Sequence, residues 1–208
     1  MARDINEILG EIRRLEEQLE TYWENLRDQF HYQLEGKKVQ FEEAARTAHR
    51  RFRTGITGYV LNAPLGVLLT APIIYSMIIP LALLDLFLFV YQHTCFRAYG
   101  VTRVSRQEFI VIDRHRLNYL NGVEKLNCIY CGYANGLMAY AREIVARTEQ
   151  YWCPIKHARK SRAKHTRYYK FSEFGDAENY REQLGKLRQE LNEVHLQEQG
   201  KAKDDGQL

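Results

Sequence analysis

The sequence predicts a mainly α-helical membrane protein. Its expected parts are an N-terminal coiled-coil-like helix, a central transmembrane helical hairpin, and a small C-terminal helical module with a metal knuckle. Three observations predict this. Apolar side chains recur at alternating gaps of three and four over residues 5–26. Residues 56–91 form an apolar run of 36 residues holding one charge. Finally, C-x-x-C is followed after 21 residues by C-x-x-x-H. The 208 residues suffice for one domain or two small ones, and a formal net charge of +4 selects no class of partner by itself. The expected segments are an amphipathic arm (1–55), the membrane hairpin (56–96), a knuckle module with a basic segment (97–175), a C-terminal amphipathic helix (176–199) and a disordered tail (200–208).

The arm comes first. Ile5, Ile8, Ile12, Leu15, Leu19, Tyr22 and Leu26 hold an a/d seam for about three heptads. The phase shifts through Phe30 and Leu34 and resumes at Phe41, Ala45, Ala48 and Phe52. Such a seam pairs with a second copy, so residues 5–52 are expected to form a homo-oligomer or to dock on a partner helix; the alternative is folding back on the same chain. Residues 1–35 carry four basic and nine acidic side chains, a net of −5, whereas residues 36–55 carry six and two, a net of +4, ending in "HRRFRTG". The first residues, "MARDINEILGEIRRLEEQ", lack the apolar core of a secretory signal, so a reducing compartment is expected.

The run "ITGYVLNAPLGVLLTAPIIYSMIIPLALLDLFLFVY" is too long for one perpendicular crossing. As a single helix it would extend about 54 Å, against a hydrocarbon core of about 30 Å. Pro64, Pro72 and Pro80 each remove a backbone donor. A hairpin turning near Pro72 is therefore expected; the alternative has residues 56–71 lying in the interface and residues 73–92 crossing once. Arg50, Arg51 and Arg53 precede the run, and Arg97, Arg103 and Arg106 follow it. The positive-inside rule then puts both termini in the cytoplasm. Asp85 is the one carboxylate in the run. Structural pairing, with Asn62 or His93 in reach, is expected over an ion-path role.

Beyond the membrane, residues 109–113 read as a short strand. Residues 137–149 read as a helix capped by Asn135 and ended by Cys153-Pro154. Asp176 reads as the cap of the last helix, whose stripe is Leu184, Leu187, Leu191 and Val194.

Cys128, Cys131, Cys153 and His157 are the candidate metal ligands. Their Cys₃His set suits structural zinc, with iron or an iron–sulfur cluster as the alternative cofactor. Geometry imposes a condition. One straight helix over residues 132–152 would hold the two halves about 30 Å apart. A shared ion therefore needs the helix confined to residues 137–149, with Gly132 and Gly136 as bends. A redox dithiol lacks its strand–CxxC–helix setting. Cys95 and His115 are spare ligands.

The C-x-x-C-G stretch resembles the chelating knuckle of rubredoxins and zinc ribbons, and the C-x-x-x-H half resembles the CDGSH iron–sulfur family. Prolyl-isoleucyl-lysine stands where that family has Asp-Gly-Ser. The block "YLNGVEKLNCIYCGYANGLMAYAREIVARTEQYWCPIKHA", with the later "FGDAENYREQL", resembles a block of uncharacterised bacterial membrane proteins of similar length. That resemblance spans about the second half of the chain; it implies a bacterial origin and brings no activity with it.

Residues 156–170 hold seven Lys/Arg and no acid. In a membrane protein such a segment is expected to meet anionic lipid headgroups, a cheaper explanation than nucleic acid. No phosphate-binding loop, zinc-protease helix or nucleophile elbow occurs. The expected function is a membrane-anchored, zinc-stabilised scaffold or interaction protein rather than an enzyme. Two rival classes follow from the same residues: an iron-containing electron carrier, and a small channel using Asp85.

Overall fold

The computed structural model describes residues 5–29, 32–35, 38–41, 43–162 and 164–204. The fold is mainly helical. In order it comprises α1 (Ile5–Gln29), β1 (Tyr32–Glu35), β2 (Lys38–Phe41), α2 (Glu43–Arg50), α3 (Ile56–Leu61), α4 (Leu65–Ser76), α5 (Ile78–Tyr91), a π turn (Gln92–Phe96), α6 (Arg97–Tyr99), α7 (Arg106–Phe109), α8 (Gly122–Trp152) and α9 (Tyr180–Asp204). Two compact units result. One gathers residues up to Ala63 with Asp113–Ile129, the other Pro64–Ile112 with the residues from Tyr130 onward.

In the first unit, the three–four spacing does produce a helix, α1. Its heptad reading ends at Gln29, because β1 and β2 pair antiparallel from Tyr32↔Phe41 to Glu35↔Lys38. The weaker seam expected as far as Phe52 is therefore interrupted; Phe30 lies outside the described residues. Y-Q-L-E and K-V-Q-F alternate with the period of strands, over windows too short to separate from the preceding helical pattern.

In the second unit, α4, α5, the π turn and α6 run on as one helix, Leu65–Tyr99. Among the described residues it is the one helix long and apolar enough to cross a membrane. The expected hairpin at Pro72 is not formed. Pro72 sits inside α4, and the chain passes Met77 with helical angles, φ −63° and ψ −13°. The Met77 N–H bonds the Ile74 carbonyl at 3.2 Å, and the Leu81 N–H bonds Met77 at 3.2 Å. The reason is local accounting. A proline removes one helical hydrogen bond, whereas a reversal in apolar surroundings strands a whole turn of backbone groups. Thr70 and Ser76 hydroxyls bond back to the Gly66 and Ile73 carbonyls at 2.8 and 2.7 Å, adding internal bonds.

Burial divides this helix. Residues 65–80 are exposed apart from half-buried Ala71 and Tyr75. From Leu81 onward one face is covered, through Leu88, Gln92 and Phe96. The core built there adds Val101, Val104, Leu137, Tyr140, Ile144 and Leu191. A satellite of Tyr168, Phe171 and Leu187 seats α9.

The second large departure is α8. Asn121 caps it: its side-chain oxygen accepts the Val123 and Glu124 N–H groups at 2.9 and 3.0 Å, while Glu124 accepts the Asn121 N–H at 2.8 Å. This reciprocal box starts the helix at Gly122, 15 residues before the expected start at Leu137. Asn135 is consequently no cap; it lies mid-helix, its amide donating to the Cys131 carbonyl at 3.0 Å. Gly132 and Gly136 are not bends either. Both are buried, and a Cβ on Gly136 would lie 2.6 Å from the Phe109 carbonyl oxygen and 2.8 Å from the Ile110 Cα. The expected strand at 109–113 is likewise absent, since α7 ends at Phe109 and the next residues lie against this glycine. At the end of the chain, Asp176 accepts the Asn179 N–H at 3.2 Å just ahead of α9. Leu184, Leu187 and Leu191 are buried. Residues 200–204 continue α9 where a tail was expected; residues 205–208 and the Val194 side chain lie outside the described residues.

The Gly136 contact is backbone against backbone, so a side chain there has nowhere to move. Gly136→Val is expected to destabilise the protein by about 1–3 kcal/mol or more. Gly185, whose added Cβ meets nothing within 4 Å, serves as the control. Gly185→Ala should be neutral or stabilising by about 0.5–1 kcal/mol. Chemical unfolding midpoints in detergent measure both.

Candidate functional site

The structure concentrates buried polar chemistry along the covered face of the apolar helix. Asp85 is the first such group. Its carboxylate receives Arg106 Nη2 at 2.7 Å, Arg106 Nε at 3.2 Å to each oxygen, and the Tyr133 hydroxyl at 3.1 Å. The pairing partner is therefore Arg106. It is neither Asn62 nor His93, whose Nδ1 lies 2.7 Å from the Phe89 carbonyl. Arg106 reads in sequence only as a flanking charge, because no helical spacing connects it to Asp85. The hydrogen bonds that Arg106 donates to Asp85 hold its guanidinium above its ordinary value, and burial, then Asp85, raises the Tyr133 phenol. Both groups thus remain donors to the carboxylate.

Two turns further on, the π turn directs Gln92 inward. Its carbonyl accepts the Val104 N–H at 3.0 Å and its amide donates to the Tyr140 hydroxyl. Tyr91 and Thr148 share a hydrogen bond of 2.9 Å, and Arg147 donates to the Thr102 carbonyl at 2.7 Å. Residues 101–106 thus run back between the apolar helix and α8, with the Val104 N–H and the Thr102 carbonyl claimed by side chains and the Val101 N–H by the Phe96 carbonyl. Such backbone is tolerated beside an apolar helix only where protein satisfies it.

The proposed metal ligands are not brought together. Cys128 and Cys131 lie one turn apart on the unbroken α8, and Cys153 follows its last residue. Along a helix axis, the 22 steps from Cys131 to Cys153 cover about 33 Å, so one ion cannot meet both. The four cysteines are free, with Cys131 and Cys153 exposed. The His157 ring stacks on Tyr168 with centroids 5.9 Å apart, and the His157 backbone N–H donates to the Tyr168 hydroxyl at 2.6 Å. No group of three His, Cys, Asp or Glu residues able to hold an ion occurs among the described residues. As α8 places them, Cys131 and Cys153 cannot share one ion. The likeness to a rubredoxin knuckle ends at residue types, since a knuckle is a loop and this stretch is helix. The overlooked signal is Gly132-x-x-x-Gly136, the small-residue spacing of closely packed helices.

The basic segment is partly spent on internal contacts. Lys156 pairs with Glu173, Arg167 with Glu143 and Lys170 with Glu190, at 2.5, 3.0 and 2.9 Å. Lys164 lies over the Tyr168 and Tyr169 rings, 5.5 and 5.9 Å from their centroids. Arg159, Lys160 and Arg162 remain exposed, without an ion pair or hydrogen bond among the described residues. The segment's level along the fold is fixed by Arg142 bonding the Lys164 carbonyl, His165 bonding Glu149 at 2.9 Å, and Arg167 bonding Gln150 at 2.9 Å. Through the Tyr91–Thr148 and Gln92–Tyr140 bonds, that level matches the C-terminal end of the apolar run.

No family model matches the chain, and neither does any curated protein or solved structure.

Two predictions follow from these distances. Asp85 is 17% and Arg106 47% exposed, so breaking the pair falls between the cost of a surface pair and that of a buried one. Arg106→Ala should destabilise by roughly 1–3 kcal/mol. Adding Asp85→Leu should recover much of that loss in a double-mutant cycle, and additive losses would refute the coupling. Secondly, Cys131→Ser should leave the unfolding midpoint unchanged and the metal content of the purified protein unaltered. A lowered midpoint together with lost zinc would restore the knuckle.

Proposed function

We propose that this chain is a membrane-anchored scaffold, held by the charge-free part of its apolar helix and facing the cytoplasm with its basic segment. The observation that carries the reading is exposure: only 11% of the most apolar window of Leu65–Tyr99 is buried by the protein itself. A core helix of a soluble protein would have this surface covered. Residues 65–84 are twenty residues without a charge, about 30 Å of helix, which matches the hydrocarbon thickness. Asp85 then falls at the headgroup level, where its ion pair with Arg106 is tolerable. Tyr99, Tyr151 and the exposed Trp152 form an aromatic cluster with centroids 4.9–5.6 Å apart at the same end, as interfacial anchors do. Arg159, Lys160 and Arg162 supply positive charge there for anionic headgroups. A single crossing puts the N-terminal arm on the opposite face from the C-terminus, in place of the shared side expected of a hairpin; Arg97, Arg103, Arg106, Arg159, Lys160 and Arg162 outnumber Arg50, Arg51 and Arg53 across the apolar run, which supports a cytoplasmic placement of the C-terminal side. The α1 seam serves as the assembly arm. No metal enters this reading, because its ligands are not assembled.

Alkaline carbonate extraction of expressing membranes tests the anchor. The protein should stay in the pellet, and release into the supernatant would sink the proposal. In proteoliposomes, trypsin should cut at Arg159, Lys160 and Arg162 more slowly with phosphatidylglycerol than with phosphatidylcholine. Three residues at about 1 kcal/mol each, screened by salt, predict protection that fades at high ionic strength. Equal cleavage in both lipids would remove the headgroup contact while leaving the anchor.

A further inference from the structure

Tyr130 of α8 donates its hydroxyl to the Ile74 carbonyl at 3.0 Å, and its ring meets Tyr75 edge-on with centroids 5.9 Å apart. Ile74 and Asp85 are 11 residues apart in the apolar helix, about 16 Å of rise. In the placement proposed above, Asp85 stands at the headgroups and Ile74 near the middle of the hydrocarbon core. Tyr133 then marks the headgroup level on α8, because it bonds Asp85, and the helix goes deeper towards Tyr130. We infer that α8 enters the bilayer beside the apolar helix with its charge-free first half, so that lipid meets a helix pair rather than a lone helix. The inference rests on the reading of residues 65–84 as the anchor and adds a second member to it.

The composition of α8 divides accordingly. Residues 126–141 carry no charge, between Lys125 and Arg142. They cover about 24 Å, enough to enter the core and too short to span it unaided. From Arg142 onward charges return, at Glu143, Arg147 and Glu149. Hydrocarbon also demands that polar groups find partners within the protein. Between Tyr130 and Ala141 each hydroxyl and the one side-chain amide does so. Tyr130 bonds Ile74, Tyr133 bonds Asp85, Asn135 bonds the Cys131 carbonyl, and Tyr140 receives Gln92. The exposed positions of that stretch are Cys131, Asn135, Met138 and Ala139. Three of these side chains are small or apolar, and the fourth has its amide already bonded. Nothing on this face calls for water.

Spin labels along the rod test this. Two full-length chains keep a single native cysteine, Cys131 or Cys153, with the other three changed to serine. A third carries Met138→Cys with all four native cysteines changed. Each is labelled with a nitroxide in detergent, reconstituted into phosphatidylethanolamine–phosphatidylglycerol vesicles and washed with alkaline carbonate. Collisions with oxygen, which concentrates in hydrocarbon, are compared with those of a water-soluble nickel chelate. Oxygen should dominate at Cys131 and nickel at Cys153, about 33 Å further along the helix, with Met138→Cys between them. The oxygen-to-nickel ratio should fall severalfold from Cys131 to Cys153. A retained chain in which nickel is as effective at Cys131 as at Cys153 would overturn the inference and leave the anchor standing. Few collisions of either kind at Cys131 would show that protein rather than lipid covers it, and would overturn the inference equally. Loss of the chain to the carbonate supernatant would remove the anchor itself, and the second member with it.

Discussion

The second unit depends on the uninterrupted course of α8. Within that unit, Tyr130, Tyr133, Leu137, Tyr140, Ile144, Thr148 and Tyr151 follow one another at three- and four-residue steps, and each meets the apolar helix or the segment beside it. Because the rod does not bend, the positions of its partners are set by residue number. Tyr133 meets Asp85, Tyr140 meets Gln92, and Thr148 meets Tyr91. A bend at Gly132 or Gly136, as a metal knuckle would require, would pull this row out of register. It would also open the place where residues 109–110 lie against the helix backbone.

That constraint explains the distribution of charge. Among side chains of the apolar helix, Asp85 comes just after the last charge-free stretch and just after the helix begins to be covered at Leu81. A carboxylate four residues into a covered face needs a cation, and Arg106 can supply one because residues 101–106 are held against Gln92 and Arg147. Tyr133 supplies the second donor from α8. The pair is half open to solvent on the arginine side, which lowers its desolvation cost relative to a fully enclosed bridge. A channel role would need a carboxylate able to lose its partner, and this one is held by three hydrogen-bonding nitrogen–oxygen contacts and a phenol.

The sequence made the helices and the apolar run legible, and it misplaced their ends. Periodicity located α1, and the length and purity of residues 56–91 located the apolar helix, since both signals are local and cumulative. The proline at 72 was overread. In an apolar setting the surrounding backbone prefers to keep its own hydrogen bonds, so a single missing donor bends a pattern less than composition implies. The cysteine spacing was overread in the same way. Asn121 and Glu124 are an ordinary capping pair that starts a helix straight through Cys128 and Cys131, and that local signal outranks the C-x-x-C pattern. Arg106 was invisible as a partner because its meeting with Asp85 is made by tertiary packing across 21 positions, which no window reports.

What, then, holds the C-terminal module if no ion staples it? Small units need a staple when their own core is insufficient, but this module is continuous with a larger core. Gln150 is buried and spans two elements, receiving Arg167 and donating to the Leu187 carbonyl at 2.9 Å. Glu143 gathers Arg147 and Arg167 on one oxygen. His165 accepts the Tyr168 N–H on Nδ1, which leaves Nε2 to donate to Glu149. Arg188 reaches the Tyr151 carbonyl at 2.8 Å and stacks over its ring. The bonds of Gln150, of Glu143 with Arg167, of Glu149 with His165 and of Tyr151 with Arg188 join α8 to the basic segment or to α9, the work a metal would otherwise do by gathering distant ligands. It also explains why half of the basic segment is unavailable to a lipid surface. Those cations bind the module to its own helix, and only the tip at residues 159–162 is left to face outward.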